Sequence, residues 1–423
     1  MKNRFFVFLL SFIPRLICLL FYFRSLTTEQ SQYWRLSSGL VHYGTLGDGR
    51  YPETFMEPLY PLFLAAARVL TSDSLFLTML CQILLASLGA VYLYKLSLEL
   101  SGKKTVAYLA VLFYSFYPYL IYQSVMLVET SIFMTLLIVS CYFYLKSEYP
   151  GIGYSCKTGI AFGLTLLTRM AAMPIVALSV MFLLFKKKYI KAFTISFVTV
   201  SILLPFGVRN YRLQHAFLPT RGGRNLFNGN CIYASQIIPR YSVDFVDSYA
   251  SQLLTKEEPH LKRSDEKAVD QFFLKKAVQF IKENPWLSLR QKFLNVIYIF
   301  FPRIVPFHPV DYAMRVTLGP GGIVTVEKAP TRKILAELSY SIPYSFLLIT
   351  AIVGVYFRRR NLSRDFILGA VVLSFAAVYS IFWPATRYRL PMDFVLMFYS
   401  AVAVDRCWTA RSAHTIAYHR VSS

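Results

Sequence analysis

The sequence predicts an all-α polytopic membrane protein: a bundle of about ten transmembrane helices with outer-face loops and amphipathic lid helices. Two observations predict it. The first is composition. Of 423 residues, 56% are hydrophobic and only 16% charged, with a mean hydropathy of +0.46, against about 45–50% apolar and about 25% charged in ordinary soluble domains. The second is patterning. Apolar runs approach the roughly 20 residues that cross a ~30 Å hydrocarbon core, and the densest basic clusters, Lys186-Lys-Lys188 and Arg358-Arg-Arg360, cap such runs. That placement is the positive-inside pattern.

Taken in order, Lys2 and Arg4 precede an apolar run over 5–23 that Arg15 interrupts. No small-x-small cleavage site follows, so the run reads as an uncleaved first span that starts inside. Residues 26–70 then lie outside, and within them 58–70 is too short to span and suits an interfacial helix. Spans are expected over 74–98, 105–122 (with a kink at Pro118), 130–145, 159–168, 173–185 and 189–206. Three more follow over 344–357, 366–383 and 394–404. Residues 287–301 break the parity and read as a re-entrant or interfacial helix. Arg15 is expected to pair within the bundle.

Four regions result: 1–208, a transmembrane module including the outer loop 26–70; 209–340, an outer-face region; 341–405, C-terminal transmembrane helices; and 406–423, a basic cytoplasmic tail. In the second region, the Gly- and Asn-rich residues 220–230 should form turns. Residues 265–282 carry Val269, Phe272, Phe273, Ala277, Phe280 and Ile281 at helical spacing, with Ser264 as N-cap and Asn284-Pro285 as stop. This is a lid helix.

Charge and cysteine content narrow the function. The net charge is +23, but the basic residues are scattered or cap spans, so nucleic acid is not an expected partner. Six cysteines include no CxxC pair, and His260 and His308 are isolated, so neither a metal nor another cofactor is expected.

Sorting ionisable residues by side leaves Glu29, Glu57, Glu129, Arg169, Arg209, Arg387 and Arg389 on the outer face, most within a few residues of a span end. Such groups at a membrane boundary are costly and therefore functional candidates. Carboxylates there suit proton abstraction from a hydroxyl, and arginines suit phosphate, whose oxygens match the guanidinium fork.

In this order the local motifs are Glu29-x-x-x-Tyr33-x-x-Leu36, Pro58-x-Tyr-Pro-Leu-Phe-Leu-Ala65, Glu129 opening a span, Gly163-Leu-x-x-Leu-Thr-Arg169, Arg209-Asn-Tyr211 with Gly223-x-Asn-Leu-x-x-Gly-Asn230, and Arg387-Tyr-Arg-Leu-Pro391. The set resembles the GT-C membrane glycosyltransferases of the protein-mannosyltransferase and lipid-A-sugar-transferase type. The resemblance implies a GT-C-like bundle that moves a sugar from a polyprenyl-phosphate donor to a glycan, lipid or protein acceptor on the outer face. It implies Glu29 as general base, where most relatives carry Asp, and Glu129 as the acid that orients the acceptor or supports the base. Arg169, Arg209, Arg387 and Arg389 become candidates for the donor phosphate, with Asn210, Tyr33, Glu57 and Tyr60 lining the substrate. A bacterial plasma membrane is the expected location. A flippase for lipid-linked sugars, a lipid-linked-polymer ligase and a non-catalytic relative are the alternatives.

Overall fold

The computed structural model describes the chain apart from residues 1, 27, 29–30, 50, 240–243, 263, 306–315, 319–323, 327–331 and 422–423. Glu29 and His308 therefore lie outside the described residues. The chain is helical; the departures from an all-α class among the described residues are a short antiparallel pair, β1 (Val316–Leu318) with β2 (Val324–Val326), and an isolated bridge between Gly47 and Pro52.

Each of the ten segments expected as spans is helical: α1 (Lys2–Tyr22), α4 (Leu75–Ser101), the pair α5 (Lys104–Phe116) and α6 (Pro118–Ser124), α7 (Thr130–Lys146), α8 (Gly153–Thr168), α9 (Met173–Phe185), α10 (Tyr189–Gln214), α16 (Arg332–Arg358), α17 (Phe366–Ile381) and α19 (Asp393–Val421). Four stretches of the described residues are long and apolar enough to cross by themselves: Asn3–Ser25, Leu75–Ser101, Tyr189–Gln214 and Glu337–Asn361. The α5/α6 pair qualifies together, bent by 61°. Tyr117 is extended there and Pro118 opens α6, because the residue before a proline is pushed out of the helical region.

The 17, 13 and 16 residues of α7, α9 and α17 are shorter for one shared reason. Each has one end at a break in the chain: α7 begins directly after Glu129, α9 follows Arg169 and a short 3-10 turn, and α17 ends just before the helical turn 386–389 that carries Arg387.

The bundle packs α16 on α19, α10 on α8, and α7 between α4 and α8. Its main core is aromatic and aliphatic, with Phe133, Leu137, Phe375, Phe394 and Phe398 all buried. Arg15 in α1 is also buried. Its Nη1 donates to the Ser11 carbonyl (2.8 Å) and hydroxyl (2.7 Å), and its guanidinium lies 4.9 Å from the Tyr114 ring centre. As expected, it pairs inside the bundle.

The first loop is more ordered than a loop reading suggests. It holds α2 (Gln32–Tyr43), capped by the Ser31 hydroxyl on the Trp34 N–H, and α3 (Leu59–Leu70). Helix α3 packs on α2 and α4 and buries Tyr60, Leu64 and Arg68.

The region after α10 forms a separate layer: α11 (Gly222–Gly229), α12 (Ala234–Ile237), α13 (Asp244–Glu257), α14 (Glu266–Glu283) and α15 (Pro285–Ile299). Phe227, Val246, Phe273, Ala277 and Trp383 form its core.

Two details of the sequence reading are corrected here. Residues 222–229 are helical instead of a string of turns, because Asp270 of α14 accepts the N–H groups of Gly223 (2.8 Å) and Arg224 (3.1 Å) and so satisfies the exposed amides of the first turn. The N-cap position of α14 is Asp265, not Ser264. The expected stop at Asn284 is where α14 ends.

Glycine is required where these layers touch. A Cβ on Gly223 would overlap the Asp270 carbonyl oxygen, and one on Gly229 the Phe382 carbonyl oxygen. Residues 287–299 of the stretch 287–301 fall in α15, which packs along α17.

Candidate active site

Three chain breaks and the first loop meet around one carboxylate. Glu129, in the connection from α6 to α7, is 2% exposed. Its Oε1 forms an ion pair with Arg169 Nη2 at 2.7 Å, and its Oε2 accepts a hydrogen bond from Arg387 Nη2. Arg169 sits in extended backbone between α8 and α9. Arg387 lies in α18 (Thr386–Arg389), which is tied to the chain before the hairpin by Thr386 N–H to the Val305 carbonyl (3.0 Å) and Val305 N–H to the Thr386 hydroxyl (2.7 Å). Arg387 also donates Nε to the Thr130 hydroxyl at 3.1 Å.

The electrostatics follow from this geometry. Burial by itself would raise the Glu129 carboxyl, but Arg387 and Arg169 overcome it and hold it down at about 2. A carboxylate so stabilised is a poor proton acceptor at neutral pH. Its chemical value lies in fixing two guanidinium groups. Arg169 has more to give: its Nη1 is buried and has no hydrogen-bond partner among the described residues. Its guanidinium carbon lies 4.6 Å from the Tyr388 ring centre and 5.5 Å from that of Phe133, and Tyr388 stacks on Tyr379 at 4.7 Å. Aromatic faces therefore hold the charged group on two sides.

Glu57 approaches from the first loop. Its Oε1 accepts the Met170 N–H at 2.9 Å, next to Arg169. Burial raises this carboxyl above its ordinary value, and the Met170 N–H and Arg169 only partly offset that. Two carboxylates pushed in opposite directions within one site are a common arrangement for divided acid–base duties.

Tyr33 of α2 lies beside Glu129, and burial raises its phenol well above the usual value, with the Glu129 charge acting the same way. Tyr60 stacks edge-on against Tyr33 at 4.9 Å and donates to Gln82 Oε1 at 2.6 Å. Gln82 is fixed in turn by the carbonyls of Ser124 (2.9 Å) and Met126 (2.8 Å), just before Glu129. Ser31 reaches the Leu127 carbonyl at 3.5 Å, so the start of α2 runs beside the same connection.

Of the residues singled out from sequence, the structure thus brings together Tyr33, Glu57, Tyr60, Glu129, Arg169 and Arg387. Arg389 is held elsewhere. It is 1% exposed, pairs with Asp393 (Nε to Oδ1, 3.1 Å), and lies 3.4 Å from the Tyr344 ring centre. Arg209 sits in the last turns of α10 and donates to the carbonyls of Glu53 (3.0 Å) and Leu46 (3.2 Å). It thereby anchors the first loop, whose Glu53 is bound in bidentate fashion by Arg35 at 2.6 Å. Asn210 is fully buried, its Oδ1 taken by Arg209 and its Nδ2 without a partner among the described residues.

Sequence reasoning missed Thr130, Tyr379, Tyr388 and Glu266. Glu266 Oε2 accepts the Thr54 N–H (2.7 Å) and the Thr220 hydroxyl (3.0 Å), stapling α14 to the first loop. Only Tyr388 carried a signal, lying inside the Arg387-Tyr-Arg motif.

The chain is similar to two crystal structures of ArnT from Cupriavidus metallidurans, one bound to undecaprenyl phosphate and one in the apo state. Identities are 12% and 13%, each match covers 88% of this chain and 72% and 71% of the other, and the TM-score is 0.35 for both. No curated protein matches the sequence. Residues 52–208, which carry Glu57, Tyr60, Glu129 and Arg169, match the family model described as dolichyl-phosphate-mannose-protein mannosyltransferase, so over that segment the chain is similar to that family.

Proposed function

We propose that the protein is a membrane glycosyltransferase that moves a sugar from a polyprenyl-phosphate donor to an acceptor hydroxyl, with inversion, on the outer face of the membrane. One observation carries the reading most: Arg169 is fixed by Glu129 and two aromatic rings while keeping one buried N–H donor unused. A guanidinium held this way suits an oxyanion better than any neutral ligand, because its fork is pre-organised and its desolvation is already met on one side. The mannosyltransferase match over 52–208 supports the same chemistry.

In the reaction, the acceptor oxygen attacks the anomeric carbon. The bond from that carbon to the phosphate oxygen breaks with its electron pair passing to the phosphate, and the hydroxyl proton goes to a carboxylate. Arg169, and Arg387 beside it, stabilise the departing phosphate. Glu129 orients both. Glu29 is the first candidate for the base, and Glu57, with its raised carboxyl, is the second.

The test is transfer of label from a radiolabelled polyprenyl-phosphate sugar pool in membranes at matched protein levels. Wild type should transfer, and Arg169→Lys should lose most activity because a point charge cannot replace the fork. Glu29→Gln should lose about 10²–10⁴-fold, the usual worth of general-base assistance. Loss in Glu57→Gln with full activity in Glu29→Gln would move the base to Glu57. Full activity in Arg169→Lys would overturn the phosphate assignment.

A further inference from the structure

Three helices run from the Glu129 cluster to the opposite end of the bundle. Helix α7 starts beside Glu129, α9 follows Arg169, and α17 ends shortly before Arg387. At ~1.5 Å rise per residue, their far ends lie roughly 20–25 Å from the candidate site. There, with the end of α4 and residues 360–364, they line an open cavity of about 630 Å³.

One wall of the cavity is apolar: Tyr144 and Leu145 of α7, with Phe182 of α9 stacked on Phe366 of α17 at 3.9 Å and 10° between planes. The charged residues of the lining are Lys186, Lys188, Arg360 and Arg364, with Glu99 and Glu148. Both acids are already engaged. Glu148 pairs with Lys188, and Glu99 pairs with Lys146 at 2.5 Å and accepts the Tyr149 hydroxyl at 2.6 Å. Arg364 donates to the Glu99 backbone carbonyl at 2.6 Å and lies close enough to the Glu99 carboxylate to act on it. Lys186 and Arg360 pair with no carboxylate among the described residues. The cavity therefore joins a greasy wall to an excess of positive charge.

We propose that this cavity binds the phosphate headgroup and adjoining acyl chain of an anionic phospholipid from the leaflet at this end of the bundle. Basic pockets between membrane helices are suited to lipid phosphates, with each nearby Lys or Arg adding to the attraction. The aromatic wall gives a reason for a chain as well as a headgroup, since a free phosphate would gain nothing from Phe182 and Phe366 whereas a hydrocarbon tail buries apolar area there. Lys186 holds its ammonium 5.4 Å from the Phe182 ring centre, so positive charge and the aromatic wall meet there. This inference stands apart from the glycosyltransferase reading and uses none of its residues.

The experiment takes the full-length protein in neutral detergent and measures retained radiolabelled phosphatidylglycerol against phosphatidylcholine. Wild type should retain phosphatidylglycerol in preference. The double variant Lys186→Ala/Arg360→Ala should lower retention about thirtyfold, on the order expected for two cations near a lipid phosphate. Lys186→Arg/Arg360→Lys should keep it, which separates lost charge from lost fold. The control Lys157→Ala/Arg406→Ala, which removes exposed basic residues outside the cavity, should change it by less than about twofold. Equal losses in both alanine pairs would reduce the effect to general surface charge and overturn the site. Complete displacement of the lipid by glycerol 3-phosphate would overturn it in favour of a soluble phosphate ligand.

Discussion

Replacing Glu129 with Gln removes the charge that two buried arginines share while changing the side chain's shape very little. Its magnitude can be worked in two ways. The carboxyl is lowered from 4.5 to about 2, and at about 1.4 kcal/mol per pKa unit this is on the order of 3 kcal/mol. Removing one partner of a buried ion pair costs about 3–5 kcal/mol in general, chiefly because the remaining charge is stranded. The two routes agree.

The sign with pH follows from linkage. Glu129 is depressed in the folded protein, so its contribution is fully present above about 4.5 and is lost as pH falls toward 2. The assay is the thermal unfolding midpoint of wild type and Glu129→Gln in the same detergent at pH 7, 4 and 3. Wild type should be clearly more stable at pH 7, and the gap should narrow at pH 4 and close further at pH 3. A gap that is negligible at pH 7, or unchanged down to pH 3, would refute the claim that this carboxylate is the keystone of the arginine cluster.

Two further outcomes test how the site is framed. For the fully buried Arg389–Asp393 pair, Arg389→Leu and Asp393→Leu should each destabilise by about 3–5 kcal/mol, whereas the double variant should recover much of that loss because no charge is left stranded; a double-variant cycle of unfolding midpoints shows which holds. Gly229→Ala should loosen the contact between α11 and the end of α17, since the added methyl meets the Phe382 carbonyl oxygen. Faster proteolysis after residue 229, with the bundle intact, is the expected result.

Much of this protein is legible in the order of its residues. Membrane spans announce themselves because each must satisfy its own backbone in hydrocarbon, which is why runs such as 74–98 and 189–206 and the kink at Pro118 are visible without coordinates. The candidate site is legible in part for a related reason. Charges such as Glu129, Arg169 and Arg387 are costly near apolar runs, so their presence is a signal in itself.

Only the tertiary structure decided how those charges are grouped. Arg387 and Arg389 are two residues apart in one motif, yet one binds Glu129 and the other Asp393, because successive side chains of a short helix leave it in different directions and meet different neighbours. Arg209 likewise secures the first loop from α10. The helix at 222–229 was hidden for the opposite reason: glycine and asparagine disfavour helix locally, and the acceptor that stabilises its first turn, Asp270, lies over forty residues further along the chain.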